Sequence, residues 1–199
     1  MDKQIVEFTE IKVLEIPIRG AGNPEERGAL QWTSEVPKPN FGGVYAFWWK
    51  GTFQDFMKRI QEKELHFKGP VENGKPSKLE LNLENGFFGT AENGMTCLYV
   101  GKTHASIAKR VGLHLRLGVP RTLTKPEVEK DAPRSTTSCQ VRDRLDRLFP
   151  YMDDTRELVN ELALSYIKLD GPDHFVERFF LEDLAIGHLR PIFNVDSER

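Results

Sequence analysis

Cysteine is nearly missing: Cys97 and Cys139 are the only two in 199 residues. Two thiols make no disulfide framework, and these lack metal-ligand spacing, so a reduced, cytoplasmic setting is the expectation. Long apolar runs are absent too. None approaches the roughly 18 residues a membrane span needs, and MDKQIVEFTEIKVLEIPIRG at the N-terminus alternates charged with apolar residues, unlike a signal-peptide core. Net charge is only −2, from 28 Lys and Arg against 30 Asp and Glu. A polycation is thereby excluded, and any nucleic-acid surface must be local. Repeats and low-complexity tracts are also lacking. The most informative shortage is regional: from Met95 to Pro126 there is no acidic side chain, although Lys102, Lys109, Arg110, Arg116, Arg121 and Lys125 all fall there.

What is present suffices for one domain with embellishments, since 39% of residues are hydrophobic and thirteen are Phe. Residues 3–18 alternate like an edge strand or extended arm, and 19–41 are rich in Gly, Pro and charge. We therefore assign 1–41 to an N-terminal strand or arm and 42–196 to the main domain. GGVYAFWWKG (42–51) reads as a buried strand between glycines, followed by a helix over 52–65 capped by Thr52. Residues 66–94 are polar, with three Asn-Gly turn signals and a short strand, LELNL, at 79–83. TCLYVG (96–101) is a second buried strand, leading to a helix over 104–117. A loop spans 118–135, helices cover 138–149 and 153–161, and ALSYIKLD (163–170) is a third strand. The last helix, 172–190, is apolar almost all round and is expected to be buried; Pro191 ends it.

The GKT after the second strand suggests a phosphate-binding loop, but the pattern G-x-x-x-x-G-K-[ST] needs glycine where Thr96 stands. Nucleotide binding is set aside on that ground.

The two strands pair better with each other. GVY carries Tyr45 and YVG carries Tyr99, each tyrosine beside a β-branched residue and near glycine. Arg110 and His114 follow at four-residue spacing, then Glu182 on the last helix and Asn194 twelve residues later, after Pro191. This ordered set resembles the GIY-YIG nuclease superfamily, and in its compactness the type II restriction endonucleases of that family. The resemblance implies an α+β fold: a small three-stranded, mostly antiparallel sheet flanked by helices, here with an N-terminal arm and an insert at 52–94 between the two Tyr-bearing strands. Two departures stand out. About fifty residues separate the tyrosines, and the Tyr99–Arg110 gap is one residue longer than the family's commonest spacing, which leaves Lys109 a competitor for the role of Arg110.

The residues suit phosphodiester hydrolysis, which depends on positioning and electrostatic stabilisation. On a helix Arg110 and His114 share one face, with Cβ atoms roughly 6 Å apart, and can reach one phosphate. Arg brings a permanent bidentate charge, His a proton near neutrality, and Lys102 another cation. Glu182 shares a helix face with Phe175, Phe179, Ile186 and Leu189, where an unpaired carboxylate is costly unless a cation compensates. That cation is Mg²⁺, with Mn²⁺ as substitute, or else the guanidinium of Arg178 one turn earlier. The resemblance implies Glu182 as the metal ligand, Tyr45 as general base or water-orienting group, and Tyr99 in support. Asn194 is expected to fix strand geometry. The candidate catalytic set is thus Tyr45, Tyr99, Lys102, Arg110, His114, Glu182 and Asn194.

The implied partner is double-stranded DNA, tracked by Lys102, Lys109, Arg110, Arg116, Arg121 and Arg142. One site cuts one strand, so a duplex cutter implies a homodimer, with the arm and the insert as natural contacts. The expectation is a metal-dependent DNA endonuclease, of restriction type. The alternatives are a repair or mobile-element nicking nuclease, or a non-catalytic DNA-binding module on the same fold.

Overall fold

The structure, a computed structural model, describes residues 14–15, 18–20, 30–32, 38–60, 63–72, 75–84, 94–115, 140–149, 158 and 160–194. Its elements in chain order are β1 (Leu14–Glu15), β2 (Ile18–Gly20), β3 (Leu30–Trp32), β4 (Gly43–Trp49), α1 (Phe53–Arg59), β5 (Glu64–Glu72) and β6 (Lys75–Asn82). There follow β7 (Thr96–Thr103), α2 (Ile107–His114), α3 (Gln140–Leu148), β8 (Leu162–Lys168), a 3₁₀ turn at Pro172–His174 and α4 (Phe175–Leu189).

Three strands, β8-β4-β7, form an antiparallel sheet, with the two-residue β1 added beside β8. The α+β class and the small antiparallel sheet expected from the sequence are therefore present. β4 lies in the middle and is buried on both faces, which is why GGVYAFWW carries no charge and almost no alternation. Its odd and even positions serve two different cores. Tyr45, Phe47 and Trp49 pack with α2 and α3 residues Ile107, Val111 and Leu145, whereas Val44, Ala46 and Trp48 pack with Leu181, Ala185 and Leu189 of α4. Trp48 satisfies its buried indole N–H on Ser165 Oγ at 2.8 Å. The β4–β7 register steps between Phe47 and Trp48. That bulge leaves consecutive residues Leu98 and Tyr99 in the same core.

β7 would be a bare edge, but the chain after α4 covers it. Arg190 ends the helix in a left-handed conformation (φ 46°), and Pro191 prevents its continuation. The backbone amides of Ile192 and Phe193 then donate to the carbonyls of Cys97 and Leu98 at 3.2 and 2.7 Å. A blunted edge of this kind does not recruit stray strands.

Several expectations need correction. The helix expected over 52–65 stops at Arg59, its first turn fixed by a Thr52–Asp55 capping box. Glu64 already lies in β5, which pairs antiparallel with β6, so the region read as turns plus one short strand holds a full hairpin. The last helix is not buried all round. Arg178, Leu181, Ala185 and Leu189 face inward, while Phe175, Val176, Phe179, Phe180 and Leu184 are exposed. α2 and α3 fall within the expected spans, and β8 begins one residue early. The loop at 118–135, most of the helix expected at 153–161, and most of the arm lie outside the described residues.

Candidate active site

Both glycines of the paired strand motifs are there for clearance. A Cβ on Gly43 would stand 2.0 Å from the Ile167 carbonyl oxygen across the β4–β8 pairing. A Cβ on Gly101 would stand 2.7 Å from Tyr45 Oη and 2.8 Å from Tyr99 Cε1. Real Cβ atoms do not approach so closely. Gly101 opposes Tyr45 in the ladder, and its bare backbone leaves the space that the phenol of Tyr45 occupies.

Tyr45 uses that space to reach α2. Its Oη lies 2.8 Å from His114 Nε2, and both residues have no exposed surface. Tyr99 packs its ring on the same imidazole, with centroids 4.8 Å apart. Burial first, then the charges of Arg110 and Arg144, hold the His114 pKa down to about 3, so the ring is neutral at physiological pH. Among the described residues its Nδ1 has no partner. An orphaned lone pair is tolerated better than an orphaned N–H, which favours the tautomer carrying its proton on Nε2. In that tautomer His114 donates to the oxygen of Tyr45.

α2 starts where Ser106 caps the Lys109 amide, with the side-chain oxygen 3.1 Å away. Its buried face is Ile107, Ala108, Val111 and His114. Lys109 is exposed, while Arg110 is half-buried and acts electrostatically on His114. Of the two competitors, only Arg110 is coupled in this way to the Tyr45–His114 pair.

Glu182 lies on the other side of β7. Strand alternation turns Lys102 toward the core that α4 covers, and Lys102 Nζ donates to Glu182 Oε2. The same ammonium stands 4.8 Å from the centroid of the Phe179 ring. Glu182 is therefore not an uncompensated buried carboxylate, and its cation is Lys102, not Arg178. The Arg178 guanidinium, buried, donates instead to the carbonyls of Leu169 and Gly171, the latter at 2.8 Å. Asn194 embraces the β7 backbone: Oδ1 accepts from Val100 N and Nδ2 donates to Val100 O, both at 2.8 Å. Its described contacts are all structural.

The candidate residues thus divide into two groups, tyrosines with His114 and Arg110 on one face of β7, Lys102 with Glu182 on the other. Four consecutive residues join them. Tyr99 meets His114, Val100 meets Asn194, Gly101 meets Tyr45 and Lys102 meets Glu182. No single cleft gathers all seven side chains, contrary to the expectation of one convergent site.

Arg142 is placed differently from its expected DNA-facing role. It is 3% exposed, donates to the Leu115 carbonyl at 3.2 Å and faces Asp146 at 3.5 Å, so its described contacts are internal. Arg144, on the same helix, is buried over the Phe193 ring at 5.7 Å. The sequence gives no sign of the action of Arg144 on His114. Nothing in RDRLDR separates inward from outward arginines. Arg116 and Arg121 lie outside the described residues.

Among the described residues, no group of three or more His, Cys, Asp or Glu side chains could hold a metal ion. A hard dication bound through one carboxylate, water and substrate oxygens still fits Glu182, whose other oxygen, Oε1, is not the one Lys102 holds. Comparison of the chain with protein-family models, curated proteins and solved structures gives no match.

Proposed function

We propose that this protein is a metal-dependent DNA endonuclease of GIY-YIG type, with restriction of foreign DNA as its role. The observation that carries the reading is the buried Tyr45–His114 pair. A neutral imidazole donating from Nε2 stabilises a phenolate on Tyr45, and Arg110 and Arg144 add positive potential to the same pocket. Tyr45 has no exposed surface, so such a phenolate would take a proton from the attacking water only once DNA binding opens its pocket, where the half-buried Arg110 would offset charge gathering on the phosphoryl oxygens. Glu182 would hold Mg²⁺ or Mn²⁺, which would supply Lewis acidity at the phosphate. Lys102 and Lys109, beside the site, carry part of the attraction for the DNA backbone.

Plasmid and phage DNA incubated with the protein in Mg²⁺ or EDTA tests this. The expected result is metal-dependent scission that Tyr45→Phe and Glu182→Ala abolish while DNA binding persists. Full activity in Glu182→Ala removes the metal assignment, and no scission with either Mg²⁺ or Mn²⁺ removes the nuclease.

A second reading, a DNA-binding module on the same frame, is favoured by the complete burial of Tyr45 and by the Lys102–Glu182 pair. Binding without turnover in that same experiment would select it.

A further inference from the structure

Three segments far apart in the chain interlock where β4 begins, at one corner of the sheet. The carbonyls of Pro39 and Phe41 accept from the amides of Ala108 and Ile107 in the first turn of α2, both at 3.0 Å. Ser106 Oγ lies 3.5 Å from Asn40 Oδ1. A Cβ on Gly42 would stand 2.9 Å from the His104 carbonyl oxygen, so the two backbones are already in contact. The end of β8 closes the corner from the opposite side. The Leu169 amide donates to the Gly42 carbonyl at 3.0 Å, and Tyr166 packs edge-on against Phe41 with centroids 5.6 Å apart. Lys168 Nζ stands 5.2 Å from the centroid of the same Phe41 ring.

The side chains that this corner presents to water are mostly cationic. Lys38, His104, Lys109 and Lys168 are all exposed. Over 38–42, 103–109 and 166–170 the one acidic side chain is Asp170, and it is already engaged. Its Oδ1 accepts the Gly42 amide at 3.0 Å, and Lys168 and the buried Arg178 act on it electrostatically.

We infer that this corner is a second seat for the DNA backbone, separate from the candidate active site. As a DNA contact it rests on the nuclease reading, and it adds Lys38 and Lys168, which nothing in the sequence places beside Lys109. Along α2 the corner is continuous with Arg110, so one polyanion spans both. Ser106 and His114 are roughly 12 Å apart at 1.5 Å per helical residue, which equals about three to four base pairs of duplex. The corner therefore grips the flank of the cut and sets the direction in which the duplex leaves it. Backbone hydrogen bonds fix all three segments, and the Phe41 ring holds the Lys168 ammonium, so little freedom is lost on binding.

Binding of the full chain to a labelled DNA duplex in EDTA, across a salt series, tests it. Lys38→Ala combined with Lys168→Ala should lower the slope of log affinity against log salt by about two. Affinity at about 0.15 M salt should fall about thirtyfold, equally for unrelated sequences. Lys58→Ala, on α1 past the opposite end of β4, should leave both quantities unchanged. A wild type that binds, with a double variant of unaltered slope, overturns the corner and leaves the nuclease reading standing. So does a Lys58→Ala loss matching that of each corner lysine, which makes the effect one of bulk charge. Tighter binding of polyglutamate than of DNA overturns it in favour of an acidic protein segment, and a wild type that binds no DNA removes both readings.

Discussion

Tyr45 and His114 stand 69 positions apart in the chain and 2.8 Å apart in the fold, with no water-exposed surface on either. Tyr45→Phe leaves His114 Nε2 without a partner in a buried site, where Nδ1 already lacks one among the described residues. The expected cost is about 1–3 kcal/mol, read as a lower urea midpoint at unchanged slope. A variant as stable as the wild type would mean that the pair contributes nothing to folding.

Acid should destabilise the protein through His114. Its ordinary value is 6.5 and its folded value about 3, so between those limits the unfolded chain binds a proton that the native state refuses. Stability is unaffected by this group above pH 6.5 and falls as pH drops toward 3, by at most about 1.4 kcal/mol per pH unit. Urea titrations of wild type and His114→Gln over that window should diverge, with the shallower slope in the variant. Parallel slopes would locate acid sensitivity elsewhere.

Gly101→Ala should damage both tyrosines together. The added methyl meets Tyr45 Oη, Tyr45 Cζ and Tyr99 Cε1, all within 2.9 Å, and neither ring has room to retreat in a packed core. A loss of about 1–3 kcal/mol is expected, with a changed near-ultraviolet dichroism of the tyrosines. An unchanged aromatic spectrum would contradict the clearance argument.

Asn194→Ala removes the donor and the acceptor that satisfy the Val100 backbone. The Val100 amide should then exchange with deuterium faster, and stability should fall by about 1–3 kcal/mol. Protection that survives the substitution would show that the backbone pairing of Ile192 and Phe193 suffices.

Lys102→Met should raise the affinity for Mn²⁺ about tenfold by removing a cation that competes for Glu182, and Glu182→Gln should abolish that binding. Calorimetry reads both without DNA. Weaker binding in Lys102→Met would argue that Glu182 is a partner of Lys102 alone.

How much of this was legible beforehand differs residue by residue. The strands around Tyr45 and Tyr99 announced themselves because aromatic and β-branched runs between glycines have few alternatives to a buried strand. The interval from Glu182 to Asn194 was visible in Pro191, and the structure explains it: α4 ends, the chain turns, and both residues reach back to β7. Side-chain pairing across the sheet was not legible. Periodicity cannot show that Lys102 turns toward α4 while Gly101 leaves room for Tyr45. An apolar helix looks the same in one dimension whether one face or every face is covered, and so periodicity alone does not mark the phenylalanines of α4 as exposed. The buried arginines of α3 were hidden by the opposite bias, since charge density alone reads as surface.

The run Tyr99–Val100–Gly101–Lys102 works as a single tether. Each link in it attaches to a different part of the molecule, so sliding β7 by one position against β4 would release all four attachments in the same step. Partial disassembly of this region should therefore be rare, and its amides should open to solvent as one block rather than residue by residue.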